Sequence, residues 1–361
     1  MKIIYDNIIY SLQKAGGIST YWNELSSRFK KDKLDITFYG FENENIFAKD
    51  INQEIESKII SKFARYLPFL KKLPKNSIFH SSYYRVSNQK DIVNITTVHD
   101  FTYEYYRKGL AKYIHSLQKG RAINKSDGII CVSENTKKDL LKFYPNINDD
   151  KIKVIYNGVS NTFFQLTQPS NYLTNDYEKL KSKKYILYVG DRKGYKNFDI
   201  AINVFQKLND FIFVIVGGGD LIDDEKELLK KECFHYQGIS TKDLNILYNN
   251  AFCLLYPSSY EGFGIPILEA MKAGCPVVST NISSIPEVAR DAGLLVDKIE
   301  VEEFVKAILK LENKEFRDEI ISKGFEQAKK FSWDKCFEET LEFYKEVAGK
   351  KFCPHTCGIT S

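Results

Sequence analysis

Two carboxylates, Glu261 and Glu269, stand with seven residues between them, and Gly262-Phe263-Gly264-Ile265-Pro266 lies inside that interval. Residues 251–256 ahead of them are apolar and strand-like. Gly262 and Gly264 let the backbone bend tightly and approach a ligand closely. Pro266 suits the first turn of a helix, where its missing N–H costs nothing. Gly274 and then Pro276 stop that helix after about two turns. A helix N-terminus of this kind holds phosphates, and carboxylates beside it suit sugar hydroxyls. A plainer reading exists. Ser258-Ser259-Tyr260-Glu261 fits a capping box, and Glu269 a first-turn charge favoured by the helix dipole. The Gly-Phe-Gly-Ile-Pro insert speaks against it, because a helix capped by Ser258 begins directly after that residue.

A second cluster is cationic. Residues 185–189 are almost continuously apolar, as a strand buried in a parallel sheet requires. Gly190-Asp191-Arg192-Lys193-Gly194-Tyr195-Lys196-Asn197 follows, ahead of a helix from residue 198. Arg192 and Lys196 just past a strand end make an anion site, whereas two isolated lysines would be a solvated turn. A third cluster is His99-Asp100 after an apolar strand over 91–98, with His80-Ser81-Ser82 after another over 77–79. Functional groups of open α/β sheets gather past the carboxyl ends of strands. A lone histidine there equally serves as a hydrogen-bonded loop residue. Gly16-Gly17 separates a strand over 2–5 from a helix over 18–30, which is the layout of a phosphate-facing βα unit and also of a plain turn.

The elements that position these groups alternate strand and helix. Further strands are expected at 34–39, 128–132, 153–156 and 211–216. Ser133 caps a helix beginning near residue 134, and Ser240 or Thr241 caps the helix carrying Leu244, Leu247 and Tyr248. Residues 161–182 are polar, lack an apolar period and read as a linker. Helices follow at 302–311, 315–330 and from 333 to about 347. The 361 residues exceed one ordinary core. Two domains are expected, 1–165 and 166–331, with a final helix over 332–348 and a loose tail over 349–361. In that tail Cys353-Pro354-His355-Thr356-Cys357 lacks a fourth metal ligand.

Glu261 and Glu269 at their spacing resemble the E-x7-E signature of the retaining glycosyltransferases of family 4. The surrounding sequence, through Glu269-Ala270-Met271 and Gly274-Cys275-Pro276-Val277-Val278-Ser279-Thr280, is similar to that family nearly residue for residue. Asn157-Gly158-Val159, Tyr236-Gln237-Gly238-Ile239, Ile285-Pro286-Glu287 and Gly293-Leu294-Leu295-Val296 resemble further landmarks. The resemblance implies an α/β GT-B fold, two Rossmann-like parallel-sheet domains facing each other across a cleft. The first would bind the acceptor and carry the final helix; the second would bind a nucleotide-diphosphate sugar. The resemblance puts Arg192 and Lys196 on the diphosphate and the amides of Gly262, Phe263, Gly264 and Ile265 on its developing charge. It puts Glu269 on the ribose, Glu261 on the transferred sugar, and His99 beside that sugar and the attacking hydroxyl. Gly17 and Gly190 face the donor, and Ile239 meets the base through its backbone. Arg192 sits one place away from the commonest Gly-Arg form of the motif.

The implied reaction moves a hexose with retention of configuration, without a metal or other cofactor. Mannose is favoured because Tyr195-Lys196-Asn197 resembles mannosyltransferases of surface-polysaccharide assembly, and the implied acceptor is a glycan or polyprenyl-linked intermediate. Two alternatives keep the frame: a soluble sugar or sugar-phosphate acceptor, and a non-catalytic carbohydrate-binding protein. The latter predicts loss of Lys196, Glu261 or Glu269, and all three are present. A nicotinamide oxidoreductase is disfavoured, because Gly217-Gly218-Gly219-Asp220 has no third glycine opening a helix.

Composition sets the outer bounds. Net charge is +5, well short of a dedicated nucleic-acid binder and suited to work beside anionic lipid. No run approaches the roughly 18 apolar residues of a membrane-spanning helix. The first residues read as a strand and not a secretion signal. Seven scattered cysteines read as reduced, which implies a cytoplasmic setting. Residues 57–72 interleave basic with aromatic and aliphatic residues at roughly helical spacing. Such a segment either lies on an anionic membrane surface or packs its apolar side on the domain.

Overall fold

The computed structural model describes residues 1–48, 51–56 and 63–353. They form two compact units: Met1–Gly158 together with the chain from Trp333 on, and Val159–Ser332.

Each unit is built on a parallel sheet whose strand order reverses once. Among the described residues the first holds seven strands, β1 Ile3–Asp6, β2 Ile36–Gly40, β3 Glu54–Ile55, β4 Ser77–Ser81, β5 Ile92–Val98, β6 Gly128–Cys131 and β7 Ile152–Val154. They run in the order β3-β2-β1-β4-β5-β6-β7. The second holds β8 Tyr185–Val189, β9 Ile212–Val216, β10 Cys233–Tyr236, β11 Cys253–Tyr256, β12 Val277–Thr280 and β13 Gly293–Val296. Their order is β10-β9-β8-β11-β12-β13. The reversal falls between β1 and β4 in one sheet and between β8 and β11 in the other, where such sheets open a crevice for ligands. Central strands such as β8 and β11 are buried on both faces, which accounts for their unbroken apolar sequences.

The final helix, Trp333–Phe352, completes the first unit's core. The Tyr344 hydroxyl lies 2.8 Å from that of Tyr5 on β1, and Trp333 packs edge-on against Tyr21. Lys351 donates to the Ile92 carbonyl and to Asp127, each at 2.7 Å. A fully buried ion cluster lies at the end of β1. Arg85 donates to Asp6 at 3.1 Å and bidentately to Glu56 at 2.8 and 3.1 Å. Ser81 donates to the other Asp6 oxygen at 2.7 Å.

Two expectations are corrected. Residues 161–182 do not behave as a linker. The Phe164 and Leu166 amides donate to Asn245 and Asn249 on helix Thr241–Asn250, and Phe163, Leu173 and Leu180 are buried. Short turns, Pro169–Tyr172 and Asn175–Leu180, leave no long period for sequence to display. Residues 57–62 of the basic segment lie outside the described residues, as does the tail from 354. In the remainder, one short turn, Ala64–Tyr66, replaces the expected helix and gives way to extended chain before Pro68, whose ring disfavours helix in the residue ahead.

Replacing Arg85 with methionine leaves Asp6 and Glu56 buried without a counter-charge. We expect a loss of about 3–5 kcal/mol, read as a fall in the urea midpoint of the first unfolding transition. Adding Asp6→Asn and Glu56→Gln to Arg85→Met should recover much of it. An unchanged midpoint in the single variant would refute this account of the cluster.

Candidate functional site

At the reversal of the second sheet, β8 and β11 lie side by side and their following loops carry the predicted residues. Lys196 closes the turn Gly194–Lys196 after β8. Glu261 lies in the loop after β11. The Lys196 ammonium meets a Glu261 oxygen at 2.6 Å and the Tyr256 hydroxyl at 3.3 Å. Both side chains are mostly shielded, at 12% and 11% exposure, so the pair attracts more strongly than one in bulk water.

The two loops are tied to each other. Asn197 adopts the left-handed conformation, φ 50°, and donates to the Pro257 carbonyl and the Ser259 hydroxyl, each at 2.7 Å. The Ser259 amide donates to the Tyr195 carbonyl at 2.8 Å. From β12 and its loop, four hydroxyls fasten the β11 loop. Ser279 donates to the Tyr256 carbonyl and Thr280 to that of Ser258, both at 2.6 Å. Ser283 and Ser284 donate to the Glu261 carbonyl at 2.6 and 2.9 Å, and Ser284 also lies 3.0 Å from the Phe263 carbonyl.

The capping-box reading fails, because the helix begins at Ile265 and runs to Lys272 with Pro266 in its first turn. Gly264 precedes it at φ 101°, a conformation costly for any residue with a Cβ. Phe263 turns its ring into the core, 5.7 Å from Phe331.

Glu269 is partly buried on the same helix and accepts from Tyr248 at 3.1 Å. Burial pushes its carboxyl up from 4.5 to about 7, against the opposing pull of the Tyr248 hydroxyl. Gly190 follows β8 at φ 130°, and a Cβ there would meet nothing within 4 Å. Ile239 is half-buried in the turn between β10 and Ser240, after Gly238 at φ 62°.

Arg192 makes its contacts toward β9 and the loop that follows it. Its guanidinium pairs with Glu225 at 3.0 and 3.1 Å. It also donates to the carbonyls of Gly217 at 2.9 Å, Gly219 at 3.2 Å and Asp220 at 2.7 Å. It braces the glycine turn after β9, whose three glycines all have positive φ.

The first unit carries the histidines and Gly17. His99 is half-buried after β5, edge-on to Tyr21 at 4.9 Å. Burial, with Lys119 nearby, brings its imidazole down to about 4, although Asp100 pulls the other way. It is therefore neutral near pH 7. His80 has a structural place: fully buried, it bonds Tyr344 through Nδ1 and Thr97 through Nε2 at 2.9 Å. Gly17 begins helix Gly17–Lys31, and a Cβ there would meet nothing within 4 Å. Among the described residues no three His, Cys, Asp or Glu side chains gather as metal ligands.

Sequence reasoning missed Tyr256, Tyr248, Asn197 and the Ser283-Ser284 pair. The serines left a signal, a hydroxyl-rich run over 279–284 directly after a strand. Their target carbonyls lie about twenty residues back, a pairing that only the adjacency of β11 and β12 creates.

Residues 15–163 match the family described as Glycosyltransferase Family 4, and residues 173–327 match Glycosyl transferases group 1. The O-antigen chain mannosyltransferase B of Escherichia coli is 29% identical over 75% of this chain and 74% of its own. An uncharacterized glycosyltransferase of Methanocaldococcus jannaschii is 28% identical over 96% of this chain and 99% of its own. Among solved structures, Anabaena HepE in complex with UDP-glucose superposes with a TM-score of 0.75 at 15% identity, over 96% of this chain and 100% of that one. With two Rossmann-like units and both family matches, which together take in most of its length, the chain belongs to the family 4 glycosyltransferases of GT-B fold.

Proposed function

We propose that the protein transfers a hexose, mannose in the first instance, from a nucleotide-diphosphate sugar to a glycan. The acceptor we favour is a lipid-linked intermediate of surface-polysaccharide assembly at the cytoplasmic face of the membrane. The observation that carries the reading is the shielded Lys196–Glu261 pair at the reversal of the second sheet, beside the N-terminus of helix Ile265–Lys272. The mannosyltransferase relative supports the sugar, and the UDP-glucose complex of a structural neighbour supports the donor class.

In this reading Lys196 moves from Glu261 to the donor diphosphate and, with the amides of Gly262, Phe263, Gly264 and Ile265, stabilises charge as the leaving group departs. Glu261, released, accepts from hydroxyls of the sugar. Glu269 accepts from the ribose, while Gly190 leaves room for the diphosphate and Ile239 meets the base through its backbone. Arg192 acts as a positioning residue by bracing the turn Gly217–Asp220. In the first unit, which we assign to the acceptor, neutral His99 acts as a hydrogen-bonding group and not a charged acid, and Gly17 opens the glycine turn of the βα unit. The bond from the anomeric carbon to the phosphate oxygen breaks, and a bond to the acceptor oxygen forms on the same face. The acceptor proton passes to the departing phosphate. Configuration is retained, and the protein need supply neither a metal nor a covalent nucleophile.

The test is turnover of GDP-, UDP- and dTDP-sugars, with product anomers read by NMR. Lys196→Ala and Glu261→Gln should each lower turnover about 10²–10³-fold while keeping the melting temperature within a few degrees. Turnover of no donor, or full activity in Lys196→Ala, would overturn the proposal.

Glu269 adds a pH dependence. As pH falls through about 7 its carboxyl takes a proton and loses acceptor capacity, so donor KM should rise. Glu269→Gln should remove that dependence. Because the folded value exceeds the ordinary one, the native proton stabilises the fold at low pH, and this contribution is lost as pH rises through 7. The melting temperature of Glu269→Gln relative to wild type should therefore increase from about pH 5.5 to 8.5; a constant difference would exclude a raised Glu269.

A further inference from the structure

Helix Gly109–Lys125 in the first unit turns large apolar residues outward. Its buried face carries His115, Lys119, Ala122 and Ile123. Leu110, Tyr113 and Leu117, one helical face by spacing, are 71%, 63% and 55% exposed. Lys119 is paired inside: it donates to Glu104 and to the Asp100 carbonyl, at 2.7 and 2.9 Å. Among the described residues Leu110, Tyr113 and Leu117 have no such partner.

The turn after residue 62 joins the same surface. Gln118 donates to the Arg65 carbonyl, and Arg121 lies 3.5 Å from that of Tyr66. Phe63 and Leu70 there are 64% and 60% exposed. Exposed apolar groups clustered in this way mark an interaction site.

Charge selects the occupant. Residues 105–126 include Arg107, Lys108, Lys112, Arg121 and Lys125 and no carboxylate. Residues 63–75 include Arg65, Lys71, Lys72 and Lys75, again with no carboxylate. These nine cations outnumber the +5 net charge of the whole chain. Exposed apolar side chains on two carboxylate-free, cation-rich stretches fit an anionic lipid surface, where the former enter the headgroup boundary and cations such as Arg107, Lys108 and Lys112 meet lipid charge. No described helix is long and apolar enough to cross a membrane, so the contact is interfacial.

We propose that the outward face of helix Gly109–Lys125, with the turn Ala64–Tyr66 and its flanks, docks the protein on an anionic bilayer. The surface differs from the continuous helix expected over 57–72, because its main element lies some fifty residues further along the chain.

The full-length protein is tested by flotation with vesicles of equal parts phosphatidylglycerol and phosphatidylcholine, and with phosphatidylcholine alone. Binding should require the anionic lipid and weaken as salt rises from about 0.1 to 0.5 M. The variant Leu110→Gln/Tyr113→Gln/Leu117→Gln and the variant Arg107→Glu/Lys108→Glu/Lys112→Glu should each lower the partition coefficient at least about tenfold. Thermal unfolding and donor hydrolysis in solution should match wild type, which separates docking from folding and from the donor site. Equal flotation of wild type and variants would overturn the proposal, as would absence of binding to anionic vesicles. Sedimentation velocity covers the other occupant: a dimer abolished by the apolar variant, without vesicle binding, assigns the face to a second copy and overturns it too.

Discussion

The direction of the crossovers is the constraint on which the second unit's chemistry depends. β8 connects onward to β9 on one side and β11 to β12 on the other. The loops leaving β8 and β11 must therefore part, and the gap opens where strand carboxyl ends present their next residues. A cation from one loop and a carboxylate from the other meet there at 2.6 Å. Neither could be placed by a single βα unit. The pair exists because two parallel strands far apart in sequence are neighbours in the sheet.

Holding that geometry falls to small polar side chains. Ser279, Thr280, Ser283 and Ser284 take up carbonyls of the β11 loop, and Asn197 binds it from the β8 side. Each bond adds only about 0.5–1.5 kcal/mol. Together they fix a glycine-containing segment that would otherwise sample many conformations. Arg192 does similar work at the turn Gly217–Asp220, where carbonyls and Glu225 occupy its donors. The division of labour is physical. A planar guanidinium with five donors suits bracing several acceptors, while the compact ammonium of Lys196 can exchange one anionic partner for another.

The first unit uses buried polarity in another way. Arg85 with Asp6 and Glu56, and Lys119 with Glu104, place charges in the interior and pair them there. In helix Gly109–Lys125 the inward face holds a lysine and a histidine beside Ala122 and Ile123, while Leu110, Tyr113 and Leu117 remain outside. Such a helix keeps its place through a buried ion pair and leaves an apolar face available to a partner.

Much of the architecture could be read from residues alone. The apolar runs of β5, β8 and β9, the caps Ser133 and Ser240, and the helix opening at Pro266 are local. Strand burial, N-capping and glycine turns each depend on neighbours a few positions away. The spacing of Glu261 and Glu269 and the cations after β8 likewise singled out one end of one sheet. Residues 161–182 and 63–72 misled because their order comes from contacts made elsewhere, which leave no period in the chain. Tertiary structure alone decided that Lys196 faces Glu261, that Arg192 braces a turn, and that His80 is a core group. It alone turned the apolar residues of helix Gly109–Lys125 outward. Each of these rests on pairing between positions tens to hundreds of residues apart, and hydrogen bonding and burial at that separation are properties of packing, which no local pattern encodes.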